Sequence, residues 1–132
     1  MTDPDAPPSG SPAIRTIAMP ADTNPAGDIF GGWLMSQMDL AGSSVASHTA
    51  RGRTATVAVD GMKFHRPVKV GDEVSLFATL VRTGRTSMQI HVEAWRRSRD
   101  SDESQMVTEA TFTFVALDEE GRPRMLMSER RQ

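Results

Sequence analysis

Hydrophobic residues follow a helical period in one part of the chain. Between Gly32 and Ala50 the apolar positions are spaced by four, three and four residues, which places them on one face of an α-helix. That face consists of Leu34, Met38, Ala41 and Val45. Because small or apolar residues such as Met35 and Ala46 also occupy the neighbouring face, we expect a helix surrounded by protein. Gly42 weakens a helix by about 1 kcal/mol relative to alanine, and close approach of another backbone is a physical reason to keep it.

An alternation of apolar and polar residues predicts β-strands before and after the helix. The predicted strands are Ala13–Met19, Thr54–Phe64, Glu73–Gly84, Thr86–Ser98 and Met106–Asp118. Short polar turns such as "RTGRT" join most of the later strands, which favours an antiparallel sheet with the helix against one face. The predicted fold class is therefore α+β. Open sheet edges favour pairing with a second copy, so we also expect edge-to-edge dimerisation.

Length and composition indicate how the chain is divided. Its 132 residues fit one domain of ordinary size, long enough to bury a core without disulfides or metal. The first twelve residues are rich in Pro and Gly and are expected to form a disordered leader. We predict a single domain over residues 13–124 and a C-terminal tail over residues 125–132.

Charge and cysteine content exclude several classes of function. The formal net charge is −2 with scattered basic residues, which provides no basic surface for nucleic acid or an anionic membrane. The chain contains no cysteine, which excludes disulfides and thiol catalysis and is compatible with a cytosolic location. Neither a signal peptide nor an apolar run long enough to span a membrane is present. We expect a cytoplasmic protein that binds no nucleic acid and does not insert into membranes.

Familiar catalytic and cofactor motifs are missing. The three histidines, His48, His65 and His91, do not have the spacing of metal ligands. No serine lies in a G-x-S-x-G motif, and the glycines of "GDIFGGW" are not followed by the Lys-Ser/Thr of a phosphate-binding loop. A dinucleotide-binding G-x-G-x-x-G motif is also missing. We therefore expect no metal and no bound cofactor.

Asp39 is the only formally charged residue between Gly31 and Ala50. Because burying an unpaired carboxylate costs several kcal/mol, this group must be paired, protonated or exposed in a pocket. No Lys or Arg lies within one helical turn of it. Two interpretations stay open: a carboxylate that is hydrogen-bonded or solvated at the helix edge, and a carboxylate with a catalytic role.

Gly31 and Gly32 stand where the helix begins. The first N–H groups of a helix have no intrahelical partner, and a glycine lets a ligand approach them closely. Such a terminus can stabilise an oxyanion or polarise a carbonyl, although two glycines also suit a tight turn into a helix. The distance from Gly32 to Asp39 along the helix axis is about 11 Å, too long for both to act on one atom. Two copies with antiparallel helices would bring Asp39 of one near the glycines of the other.

The segment "DTNPAGDIFGGWLMSQMD" resembles the signature of hot-dog-fold acyl-CoA thioesterases of the YciA type and of the cytosolic acyl-CoA hydrolases. The similarity continues through "GMKFHRPVKVGD", "TGRTSMQIHVEAW" and "VTEATFTFVALDEEGRPR", over about residues 14–124. It implies a long central helix wrapped by an antiparallel sheet, dimers with one continuous sheet, and often a trimer of dimers. It also implies hydrolysis of acyl-CoA to a free acid and CoA, so that CoA is part of the substrate and not a cofactor.

The same resemblance implies roles for individual residues. Asp39 would be the general base that activates water, Asn24 would position the water or the thioester, and the N–H groups of Gly31 and Gly32 would polarise the carbonyl. Further residues are candidates for contact with the CoA phosphates or for lining the acyl tunnel. They are Arg66, Arg82, Arg85, Thr86 and Ser87 for CoA, Phe30, Trp33 and Met38 for the acyl chain, and Glu109 as a residue that faces either the site or solvent. Two alternatives stay open: arginines that are simply exposed at the surface, and apolar side chains that pack in the core, which is the more common role for each of them.

Two other functions are compatible with this architecture. A hydratase or dehydratase acting on acyl thioesters generally needs a histidine paired with an acid, and no histidine lies between Asn24 and Asp39. A sensor that binds acyl-CoA without turnover would need an added regulatory segment, and the short acidic leader offers none. Acyl-chain length and the choice between dimer and hexamer are not determined by the sequence.

Overall fold

A computed structural model describes residues 6–126, in which one long helix packs against one face of a five-stranded antiparallel sheet. The elements in chain order are β1 (Ile14–Ile17), a 3₁₀ turn (Pro20–Asp22), α1 (Gly31–Ala50), β2 (Thr54–Phe64), β3 (Glu73–Thr83), β4 (Ser87–Arg97) and β5 (Ser104–Ala116). The strand order across the sheet is β1-β3-β4-β5-β2. This is the α+β architecture of the hot-dog fold, as expected.

The core lies between α1 and the inner face of the sheet. Leu34, Met38 and Ala41 of the predicted apolar face are buried, and Val45 is partly buried against them. The sheet contributes alternate residues of β3, β4 and β5. They are Val74 and Leu76, then Met88, Ile90, Val92 and Ala94, then Ala110, Phe112, Phe114 and Ala116. The period-two alternation of the sequence is confirmed in β4 and β5, whereas in β3 Ser75 and Phe77 of the opposite face are also buried and Leu80 is exposed.

Gly42 has the packing role that the sequence suggests, although its neighbours are side chains and not another backbone. A Cβ atom at this position would lie 3.0 Å from two ring carbons of Phe114 and 3.4 Å from a methyl group of Val92. The helix can approach the sheet this closely because position 42 has no side chain. The opposite side of α1 is less covered than expected: Leu40 is 56% exposed, since the sheet covers only one side of the helix.

All predicted strand boundaries agree to within two residues, and β1 differs most in length, with four residues where seven were predicted. This strand pairs with β3 over only four residues, because the chain enters the 3₁₀ turn at Pro20. One sheet edge is thus the short β1 and the other is the 11-residue β2. The exposed side chains along β2 include Val57 (58% exposed) and Val59 (37% exposed).

The two ends of the chain lie outside the described residues. These ends are residues 1–5 of the predicted leader and residues 127–132 of the predicted tail. Near the described end, the Leu126 N–H donates a hydrogen bond to the Arg85 carbonyl at 2.9 Å. The division into leader, domain and tail stays a prediction. No helix in residues 6–126 combines the length and apolar character needed to cross a membrane.

Candidate active site

The loop that leads into α1 is organised by Asn24. Its side-chain oxygen accepts hydrogen bonds from the N–H groups of Ala26 (3.0 Å) and Asp28 (3.1 Å). The backbone of Asn24 closes the same turn with Asp28 and with Gly27, whose φ of 90° is one that glycine readily adopts. Since the side-chain oxygen serves the loop, the amide NH₂ of Asn24 is the group that is left to contact a ligand.

The first turn of α1 has no side-chain cap. Phe30 occupies the N-cap position, where Ser, Thr, Asp or Asn would normally accept a hydrogen bond from the helix, and its side chain has no acceptor. The Leu34 N–H bonds to the Phe30 carbonyl at 3.4 Å, so the N–H groups of Gly31, Gly32 and Trp33 precede the helical hydrogen bonds. These donors, together with the positive end of the helix dipole, provide a site that favours a carbonyl oxygen or an oxyanion.

Backbone conformation does not explain the two glycines at this terminus. Neither Gly31 nor Gly32 has a positive φ, so any residue can adopt their backbone geometry. A Cβ on Gly31 would make ordinary contact with the Phe64 ring at 3.4 Å, and a Cβ on Gly32 would meet no atom within 4 Å. Access to the backbone by a ligand is therefore a better physical reason for glycine here than a tight turn.

A pocket of about 320 Å³ opens beside this helix terminus. Its walls are mainly apolar, with the polar groups of His65 and Arg66 among them. The lining residues are Ile29, Phe30, Gly31, Leu34, Phe64, His65, Arg66, Pro67, Val68 and Val107. Arg66 is held by a hydrogen bond from its guanidinium group to the Met106 carbonyl at 2.8 Å. The pocket thus combines apolar walls, helix N–H groups and one cationic side chain, a combination that suits an acyl thioester with an anionic leaving group.

Asp39 lies about two turns after the start of α1, and its carboxylate accepts a hydrogen bond from a residue of β2. The Thr56 hydroxyl donates to Asp39 Oδ1 at 2.5 Å. Ordinary strand alternation explains the position of this hydroxyl. Thr54, Ala55 and Thr56 pair in regular register with Ala116, Val115 and Phe114, and the β-bulge at Val57 comes after Thr56. Phe114 faces α1, and Thr56 as its partner faces α1 as well. Asp39 therefore lies next to the β2 edge, partly exposed in the single chain.

The predicted residues fall into groups within one chain. Phe30, Gly31 and Arg66 line the pocket at the start of α1, and the Asn24 loop leads into the same helix terminus. Asp39 is eight residues from Gly31, about 12 Å along the helix axis. Trp33 is partly buried against the core and Met38 is fully buried, so neither lines the pocket.

Four of the candidates for CoA binding lie at the other end of the molecule. Arg82 and Ser87 belong to the ends of β3 and β4, and Arg85 and Thr86 to the hairpin between them. Ser87 pairs with Val115, and Val115 pairs with Ala55 at the start of β2. The hairpin is therefore beside the C-terminal end of α1, whereas the pocket is beside its N-terminal end.

Glu109 lies on the sheet face opposite α1 and does not line the pocket. Its carboxylate is 3.0 Å from His91 Nε2, which is also 3.3 Å from a carboxylate oxygen of Glu93. Sequence reasoning missed this group and also missed Thr56. The Thr56–Asp39 contact joins β2 to α1 across 17 positions, and the His91–Glu109 contact joins β4 to β5, so no local motif predicts either contact.

Comparison with known proteins gives consistent matches. The sequence model of the family described as the thioesterase superfamily matches residues 26–102. The acyl-CoA thioester hydrolase YciA of Escherichia coli K12 is 52% identical over 122 residues, which cover 90% of this chain and 92% of that protein. A Zymomonas mobilis protein named as an uncharacterized acyl-CoA thioester hydrolase is 56% identical over 116 residues, 88% of this chain and 78% of that protein.

A similar solved structure is that of a hexameric thioesterase from Yersinia pestis. It superposes with a TM-score of 0.86 at 52% sequence identity. The similarity covers 92% of this chain and 98% of the Yersinia chain. The fold described above is therefore shared along nearly the whole length of both chains.

Proposed function

Because the chain belongs to the thioesterase superfamily, we propose that it is an acyl-CoA thioester hydrolase, which converts acyl-CoA and water to a carboxylic acid and CoA. The observation that carries the proposal is the uncapped start of α1 beside an apolar pocket with a cationic side chain. Thioester hydrolysis needs donors for a developing oxyanion, and helix N–H groups provide them without reorganisation. The E. coli and Z. mobilis relatives bear the name of this activity.

The active site in this proposal is shared by two subunits. β2 is a long, exposed edge strand with apolar side chains, whereas the opposite edge is the four-residue β1. Pairing of β2 with β2 of a second copy would continue the sheet and remove the exposed edge. The two helices then run antiparallel. Asp39 lies next to this edge. A twofold axis between the two β2 strands would place Asp39 near the partner's pocket, whereas the pocket of its own chain is about 12 Å away along α1.

The proposed reaction uses Asp39 as a general base. Its carboxylate takes a proton from water, and the resulting hydroxide adds to the thioester carbonyl. The N–H groups of Gly31 and Gly32 donate to the oxyanion that forms. Collapse of this tetrahedral intermediate breaks the C–S bond and releases the carboxylic acid, and the CoA thiolate takes up the proton that Asp39 accepted from water, which regenerates the carboxylate. Thr56 holds the Asp39 carboxylate, and the NH₂ group of Asn24 positions the water or the thioester.

CoA binding is assigned by charge. Arg66 lines the pocket and can meet a phosphate of CoA. Arg82, Arg85, Thr86 and Ser87 are distant from the pocket in their own chain. An antiparallel partner would turn its hairpin toward the same end of the dimer, so these residues act from the neighbouring subunit in this proposal. Phe30 is exposed at the pocket and is the better candidate for acyl contact, while Trp33 supports the helix start from the core side.

The proposed assembly is a hexamer built as a trimer of dimers, in line with the hexameric Yersinia relative. We place the enzyme in the cytoplasm, and the lack of cysteine is compatible with that location.

Turnover of an acyl-CoA series from C2 to C18 tests the proposal, with CoA release followed by a thiol reagent. We expect hydrolysis by the wild type, and a loss of at least about a hundredfold in Asp39→Asn, since a general base contributes about 10²–10⁴-fold. Asn24→Ala should also lower the rate. Saturable CoA binding without turnover of any acyl-CoA would contradict the proposal and indicate a sensor. Full activity of Asp39→Asn would contradict the mechanism alone.

A further inference from the structure

A histidine and two glutamates meet on the sheet face opposite α1. Ile90 and Val92 of β4 are buried against the helix side, so the alternate residues His91 and Glu93 face the other way. Glu109 of β5 is the register partner of Glu93 and shares its face. None of the three lines the pocket at the start of α1, so the cluster is separate from the proposed active site.

Two of the three distances between ligand atoms, those from His91 to each glutamate, match a metal coordination shell. His91 Nε2 lies 3.0 Å from Glu109 Oε1 and 3.3 Å from Glu93 Oε2, and one ligand atom from each residue lies within 4.8 Å of the other two. Ligands that bind Zn²⁺ at about 2.0–2.2 Å with angles of 90–109° are about 2.8–3.6 Å apart. The two distances from His91 Nε2 fall inside that interval.

The neighbouring structure fixes the orientation of one carboxylate. Trp95 is 2% exposed, and its indole N–H donates to Glu93 Oε1 at 2.9 Å. This bond leaves Glu93 Oε2 directed at His91. A partner that holds one oxygen of a ligating carboxylate while the other faces the ion is typical of the surroundings of metal sites. Adjacent strands of the sheet centre carry the ligands, so their backbones are already in place.

Charge gives a reason for a cation at this position. Glu93 and Glu109 are directly opposite each other on paired strands, an arrangement that is destabilising for two like charges. No Lys or Arg in residues 6–126 forms an ion pair with either carboxylate, although Lys63 is a register partner of Glu109 on the β2 side. A protonated His91 supplies one positive charge. A divalent ion neutralises both carboxylates.

We propose that His91, Glu93 and Glu109 bind a divalent transition-metal ion, with Zn²⁺ as the expected occupant. One imidazole nitrogen and two carboxylate oxygens suit zinc and leave one position for water. The ion would join β4 to β5 and stabilise the sheet. This departs from the expectation of no metal, which considered only the spacing of the histidines. Here Glu109 comes from a different strand, and Glu93 comes from the alternate position next to His91 on β4.

Calorimetric titration of the full-length, tag-free, chelator-treated protein with ZnCl₂ tests the site. We expect saturable binding of one Zn²⁺ per chain and a higher melting temperature with zinc. Affinity should fall by at least about tenfold in both His91→Gln and Glu109→Gln, since even residues behind the ligands contribute about 10–100-fold. His48→Gln removes an exposed imidazole elsewhere and should bind zinc as the wild type does. Circular dichroism verifies the fold of each variant.

Two results would overturn the proposal. One is the lack of stoichiometric zinc binding by the wild type, which would leave the His91 imidazole alone as the partner of both carboxylates. The other is binding that His91→Gln and Glu109→Gln do not weaken relative to His48→Gln. The variants change no residue of the proposed active site, so acyl-CoA turnover in the absence of zinc reports on the proposed function independently.

Discussion

Replacing Gly31 by proline should remove one oxyanion donor while the helix is retained. Gly31 is the first residue of α1, a position where proline is common because its missing N–H has no intrahelical partner. The preceding residue is also suitable: Phe30 has φ −59° and ψ 135°, which lies outside the α-helical region that a following proline disfavours. A Cβ at position 31 would meet the Phe64 ring at an ordinary contact distance of 3.4 Å. The backbone should therefore accept proline with little strain.

The expected effect on catalysis is large because the lost group acts in the transition state. Removing one donor from an oxyanion hole lowers kcat by about 10²–10³, which corresponds to about 2.7–4 kcal/mol. Gly31→Ala is the matched control, since it adds the same Cβ and keeps the N–H. The Cβ narrows access to the backbone in both variants, but only proline removes the N–H, so we expect Gly31→Ala to lose much less activity than Gly31→Pro and the two variants to have similar melting temperatures.

The assay is CoA release from the best acyl-CoA substrate, with kcat and KM measured for the wild type and both variants. A fall in kcat for Gly31→Pro that Gly31→Ala does not share supports the donor role of this N–H. Equal activity of the two variants, with both folded, would refute it and leave the glycine with a role in access only.

Three further perturbations follow from the structure. Thr56→Val removes the hydroxyl that holds Asp39; a hydrogen bond to a charged group is worth about 1.5–3 kcal/mol, and the lower end applies to this partly exposed pair, so kcat/KM should fall about tenfold. Val57→Asp places a charge on the exposed β2 edge and should yield smaller species in sedimentation velocity, with loss of activity. Gly42→Val forces a side chain against Phe114 and should lower the free energy of unfolding by about 1–3 kcal/mol in denaturant titration.

Each of these changes has a control. Thr56→Ser keeps the hydroxyl and should keep most of the activity; equal loss in both would count against the hydrogen bond. Val70→Asp changes an exposed valine in the loop after β2 and should leave the assembly intact. Ser44→Val adds the same side chain on the exposed side of α1 and should change stability by less than about 0.5 kcal/mol. A Gly42→Val protein as stable as the wild type would contradict the close packing of α1 on β5.

Periodic features of the sequence predicted the fold well. The spacing of Leu34, Met38 and Ala41 identified the buried face of α1, and strict alternation identified the inner face of β4. Both signals are local, because each depends on neighbours within the same element. The short β1 was predicted too long, since its length depends on where β3 stops pairing with it, and this is not local information.

The candidate site could be predicted only in part, because several of its contacts depend on the pairing of segments that are distant in the sequence. Gly31 and Asp39 stand out within one helix, and the structure adds that backbone conformation does not require glycine at position 31. The contact between Thr56 and Asp39 depends on the pairing of β2 with β5, in which Thr56 is the register partner of Phe114. The cluster around His91 depends on the pairing of β4 with β5. These contacts appear only when the register between distant segments is known.

Complementation between two inactive variants tests the shared active site most directly. Asp39→Asn lacks the base and Gly31→Pro lacks a donor, and each alone should be nearly inactive. In a mixed dimer with the site shared between subunits, one of the two sites has an intact Asp39 from one chain and an intact Gly31 from the other. Random co-assembly makes half of the dimers mixed, so co-expression should restore about a quarter of the wild-type activity. Activity no higher than that of the parent variants, in samples shown by mass spectrometry to contain mixed dimers, would contradict a site built from two subunits.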